Sequence, residues 1–260
     1  MTPTDDWLEA ILRRDRAVTL GGILVLAVLA WIQLLRIGRE MASMTAMGMA
    51  HMEPWTLDDG VLAAVMWVTM MVAMMLPTAA PMILVFTAVH RTRRVESEVP
   101  HVNTGLFTLA YLCVWGGFSV IAAAAQWGLH SAALLSADAM TATPLIGSAL
   151  LVLAGIYQLT PLKTACLARC RTPLGFLLGE WREGRGGAFL MGLRHGLFCL
   201  GCCWILMALL FVGGVMNLTW VAAISAFVLV EKLLPAGRVV SWSAGAALLG
   251  WGLLALRHAW

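Results

Sequence analysis

Sulfur is where this sequence could do chemistry. The segment HGLFCLGCCW sets His195 four residues before Cys199, with Cys202 and Cys203 three and four residues after it. On a helix those spacings share one face, which then presents an imidazole and two or three thiols. Thiolates are strong ligands for copper(I) and zinc, and a bound ion holds the thiol in its deprotonated form. A lone cysteine would mean little, because cysteine packs as a small hydrophobe.

Three further clusters share this softness. In KTACLARCRTP, Cys166 and Cys170 fall on one face if the helix continues through them; modification or chance is the plain alternative. In WVTMMVAMMLPTAAPM, Met70 and Met74, and likewise Met71 and Met75, stand one turn apart. Methionine also packs well in any core, so packing competes with ligation there. Pro77 and Pro81 each remove a helix hydrogen bond, which at membrane depth needs protein or a water-filled cavity to re-satisfy it. In MASMTAMGMAHMEPW, Met41, Met44, Met47, Met49, His51 and Met52 crowd a single loop. Thioethers favour copper(I) over hard ions and need no deprotonation, so they serve in an oxidising compartment.

The elements that must position these groups follow from composition. Only 12% of the 260 residues are charged, 61% are hydrophobic, and the mean hydropathy is +0.86. A water-soluble domain carries about 25% charged residues. The expected fold is therefore all-α, a polytopic transmembrane helix bundle of about seven spans. Apolar runs place them at Ala17–Leu35, Val61–Leu76 (running on towards Val89), Leu106–Trp127, Pro144–Leu162, Ala188–Phe211, Leu218–Leu234 and Val239–Leu256. Residues 1–16 read as a short amphipathic helix in the interface, with Trp7, Leu8, Ile11 and Leu12 at helical spacing. No cleavable signal is expected, since the first apolar run is too long for one. Residues 1–260 form a single integral membrane domain, with 17–256 as the bundle.

Basic residues set the orientation. An N-in, C-out arrangement leaves only Arg36, Arg39 and Arg257 of the 17 basic residues on the outer side. The Met-rich loop is then outer, and the Cys166/Cys170 pair lies at the cytoplasmic end of span four. At 1.5 Å per residue, Met70 and Cys199 both fall about 13–14 Å below the outer boundary. Soft ligands thus stand at three heights, as a stepwise ion path requires. Glu231 and Lys232, adjacent near the cytoplasmic end of span six, are expected to be neutralised by each other or by a neighbouring helix. Tyr157 and Gln158 are placed to hydrogen-bond across the bundle.

AMMLPTAAPM, YQLTPLKTACLARCRTP, HGLFCLGCCWILM followed by GVMN, and the EK pair together resemble a bacterial family of predicted metal-binding integral membrane proteins, a domain of otherwise uncharacterised function. The resemblance runs from about span two to span six. It implies metal binding and a copper-handling role, and supplies no reaction.

The expected protein is thus a non-enzymatic, multi-pass protein of the bacterial inner membrane. Its ligand is a soft metal, copper(I) first and zinc second. The role is transport, membrane metallochaperone work or copper-enzyme assembly, with a periplasmic or cytoplasmic copper protein as partner and no nucleic acid. Two alternatives remain: a thiol–disulfide protein using the CxxC of Cys199 and Cys202, disfavoured because no outer loop holds a cysteine, and a non-catalytic scaffold. ATP-driven pumping is not expected, because no phosphate-cradling glycine loop is present.

Overall fold

Long apolar runs without helix breakers become long helices, and the first shows this directly. Neither glycine nor proline interrupts the chain between Thr4 and Leu20, and α1 runs unbroken over Pro3–Ala46. The expected interfacial helix is therefore not a separate element; residues 3–16 continue into the first span. The computed structural model describes residues 3–46, 55–93, 100–135 and 141–258.

Helix α2 covers Leu57–Thr92 and opens on a capping box. The Thr56 side chain accepts from the Asp59 amide, and the Asp59 carboxylate accepts from the Thr56 amide at 2.9 Å. It continues through both Pro77 and Pro81. Near them the hydroxyls of Thr78 and Tyr111 both donate to the Met75 carbonyl, each at 2.9 Å. Helix α3 follows over Pro100–Ser131.

The expected fourth span divides. Helices α4 (Pro144–Gln158) and α5 (Pro161–Arg171) meet at a 67° bend. Pro161 has no amide hydrogen to continue α4. Thr160 instead caps α5, its hydroxyl accepting from the Lys163 amide at 3.2 Å. Next come α6 (Pro173–Glu180), α7 (Gly184–Ala208), the short α8 (Leu210–Gly213), α9 (Leu218–Leu233) and α10 (Gly237–His258). Among the described residues the only other pairing is an antiparallel bridge between Leu135 and Ala142.

Among the described residues five helical segments are long and apolar enough to cross a membrane, and six if the bent pair counts as one span. Helix α9 has 16 residues, about 24 Å of rise against a hydrocarbon core of about 30 Å. The apolar stretches of α2 and α7 are 56% buried, those of α1 and α10 only 22% and 17%. Helices α2, α3 and α7 thus form the centre, while α1 and α10 turn residues such as Leu24, Val25, Leu29, Leu253 and Leu254 outward. Such an apolar exterior is compatible with lipid.

Two cations read as inner-loop charges are not loop residues. Lys163 and Lys232 are buried, so the charge asymmetry expected to orient the chain rests on its arginines.

Candidate metal centre

Helix α7 delivers the predicted face. His195, Cys199, Cys202 and Cys203 are all buried. Glycines let neighbouring helices come close to it. A Cβ on Gly192 would stand 2.2 Å from the Phe107 carbonyl oxygen of α3, and one on Gly201 would stand 2.9 Å from the Cys166 Sγ of α5. Tyr157 clamps the same spot, donating its hydroxyl to the Gly201 carbonyl.

The two cysteine-bearing helices meet through their thiols. Cys170 on α5 and Cys202 on α7 bring their sulfurs to 3.9 Å, and Cys199 lies one turn before Cys202 on the buried face of α7. Cys202 and Cys203 also direct their sulfurs to the Cys199 carbonyl, at 3.1 and 2.9 Å. A metal–thiolate bond of about 2.3 Å lets two sulfurs on one ion stand up to about 4.6 Å apart. The Cys170–Cys202 separation is within that limit, and the donors are soft, so this pair fits a thiophilic ion. Among the described residues no three His, Cys, Asp or Glu donors converge on a common point. The preformed feature is a pair of thiols with a third beside it.

Cys199 has two partners that sequence reasoning did not find. The Lys232 Nζ of α9 lies 2.9 Å from its Sγ, and the Tyr111 hydroxyl of α3 lies 3.2 Å from it. Lys232 also donates to Thr78 Oγ1 of α2 at 3.1 Å. Three helices therefore meet at one sulfur, and Lys232 ties in α2 as a fourth. The adjacent Glu231 faces elsewhere. Its carboxylate takes the Lys163 ammonium at 2.7 Å and the Ser241 hydroxyl at 2.5 Å, with the Gln158 amide at 3.5 Å. The signal for both was available in the sequence: ionisable side chains inside an apolar segment call for partners.

His195 lies one turn before Cys199, among aromatic rings. Its ring packs against Tyr111 and Phe107, with centroids at 5.6 and 6.0 Å, and edge-on to Phe176 at 5.6 Å. Its Nδ1 is buried with no hydrogen-bond partner.

Met70, Met71, Met74 and Met75 are all buried and belong to the same core as Cys199, Cys202 and Cys203; none turns outward. Met66, Met82, Met191 and Met207, which the sequence reading did not single out, share that core. The structure brings Cys170 to the α7 thiols and packs Cys166 on Gly201, and Tyr111 links the Met75 backbone to Cys199. Met47, Met49, His51 and Met52 lie outside the described residues, as does the side chain of Met44.

Comparison with known proteins adds one finding. A family model described as PpoB2, copper chaperone, matches residues 64–255, well over half of the chain. The match runs from within α2 into α10 and so takes in every thiol of the centre. No curated protein and no solved structure matches the chain.

Proposed function

The chain belongs to the PpoB2 copper chaperone family, and from that premise we propose that it is a membrane-embedded copper(I) chaperone. Its cargo is held between α5 and α7 by Cys170, Cys199 and Cys202. The observation that carries this reading is the 3.9 Å approach of the Cys170 and Cys202 sulfurs from separate helices. Two soft donors on independent elements can grip an ion and release it when the helices part.

The other sulfur groups serve the same cargo. Met44, Met47, Met49 and His51 collect copper(I) at the outer surface. Met70, Met71, Met74 and Met75 conduct it inward along α2, and Cys166 and Cys203 flank the thiol centre. His195 offers a buried nitrogen one turn before Cys199. The role is non-catalytic: the ion passes to a copper protein on one side of the bacterial inner membrane. Copper is favoured over zinc because thioethers join thiols in the ligand set.

The test is metal loading of the reduced, detergent-purified protein with copper(I) in the absence of oxygen, read by mass spectrometry. Wild-type chain should retain a single tightly held ion, and Cys170→Ser or Cys202→Ser should lose it. Retention of wild-type copper by both variants would overturn the reading.

A further inference from the structure

The thiol centre is not closed on every side. Cys199 and Cys202 are 1% and 0% exposed, whereas Cys170 is only half-buried. A donor that comes to fetch or deliver the ion therefore meets Cys170 first. The opening lies at one end of the short helices. Lys232, in the last turn of α9, reaches Cys199, so the centre is level with the end of that helix.

Cations surround this opening. Arg169 and Arg171 flank Cys170 in sequence. The Arg169 guanidinium is held over the Phe198 ring of α7, 5.6 Å from its centroid. Arg171 donates to the Leu234 carbonyl just beyond α9 and packs on Gly237. The next residue, Arg238, lies over the Trp242 ring at 5.9 Å. Among the described residues no carboxylate lies within ion-pairing distance of these three arginines. The carboxylates closest to the rim in the fold are already engaged: Glu231 holds Lys163, and Glu180 holds Arg194, one turn before Phe198. Arg169 and Arg238 are exposed, so the rim is positive with no counter-charge of its own.

We propose that this rim is a docking surface for an acidic, thiol-bearing copper protein, which exchanges copper(I) with the chain through Cys170. The proposal rests on the copper reading above and deepens it, naming the door of the site and the chemistry of the partner. Anionic lipid headgroups also attract arginine, but they give no reason for cations to gather about a metal-binding thiol. Arg169 and Arg171 are moreover tethered to their own bundle, on a ring and a carbonyl, rather than extended towards headgroups. Such a rim steers an acidic partner, raising the rate of encounter and fixing its orientation more than its affinity. Exchange is then ligand substitution. Each copper–sulfur bond made to the partner replaces one broken here, the incoming thiol's proton passes to the released thiolate, and no electron moves.

The experiment loads the reduced, purified full chain with copper(I) in the absence of oxygen and mixes it with either of two synthetic peptides. Both carry a Cys-x-x-Cys motif, flanked by glutamates in one and by lysines in the other. At low salt the acidic peptide should take copper about tenfold faster. Its lead should shrink as ionic strength rises past about 0.1 M. Arg169→Gln combined with Arg238→Gln should abolish the lead with copper content unchanged. Equal rates for the two peptides on wild type overturn the proposal, and so does a lead that the double variant keeps. The wild-type comparison and its salt dependence decide the matter even if that variant does not fold. In lipid discs the lead should persist whether the lipid is zwitterionic or anionic; its loss in anionic discs assigns the arginines to headgroups instead. Wild-type chain that retains no copper brings down the copper reading itself, a result distinct from all of these.

Discussion

At the scale of single residues, the buried ion pair is the most exposed to test. Glu231 neutralises Lys163 while also accepting from Ser241 and Gln158. Glu231→Gln would leave Lys163 charged and buried with no carboxylate. Removing one partner of such a pair costs roughly 3–5 kcal/mol, whereas replacing both with apolar residues of similar volume is often near neutral. Thermal unfolding in detergent should therefore show a large fall for Glu231→Gln and recovery in Lys163→Met combined with Glu231→Leu. A single variant that melts with wild type would show that the pair is not structurally required. This pairing was only half legible in the sequence. The need for partners was visible, since Glu231 and Lys232 interrupt an apolar run. The partners were not, because Lys163 reaches Glu231 only after the bend that follows Gln158, and Lys232 reaches Cys199 only through the packing of α9 beside α7. By contrast, the His195–Cys203 face was readable, because helical spacing is a local property.

At the scale of elements, the centre depends on how closely α3 approaches α7. Gly192 meets the Phe107 carbonyl, a backbone atom, whereas a Cβ on Gly196 would meet the Val114 side chain at 2.8 Å. A methyl group at the first position forces two helices apart; at the second, a side chain can yield. Overpacking of this sort costs about 1–3 kcal/mol. Gly192→Ala should lower the melting temperature more than Gly196→Ala. It should also weaken copper(I) retention, because α3 carries Tyr111 away from Cys199. Equal stability of the two variants would count against glycine-dependent packing as the device that builds the site. Hydropathy located α2, α3 and α7 but could not show the bend between α4 and α5. The apolar run reads on through residue 162, and Thr160 and Pro161, a cap followed by a first-turn proline, are the signs of a break. The change from polar to apolar composition near residue 16 does not end α1, because the helix meets no glycine or proline there.

At the scale of the whole molecule, with the bent α4–α5 pair counted as one span, α9 decides whether the candidate spans are odd or even in number. Its 16 residues fall short of the usual ~20. Yet its buried face runs through Val221, Ile224, Val228, Glu231 and Lys232, so it is packed along its length rather than lying on the surface. The charges at its C-terminal end, which would otherwise oppose insertion, are met by Lys163 and Cys199. A short helix whose ionised end is neutralised by neighbours can span where the same helix alone would not. Counting α9 as a span gives seven, with the termini on opposite sides and Arg14 and Arg16 facing the cytoplasm. Reporter fusions in a bacterial host check this. A periplasm-dependent enzyme should be active at the C-terminus and inactive at the N-terminus, and a cytoplasm-dependent one the reverse. Termini on the same side would mean that α9 or the bent α4–α5 pair does not cross. In the first case Lys232 would reach Cys199 from a helix folded back into the bundle, and the route of copper past it would have to open on the other face.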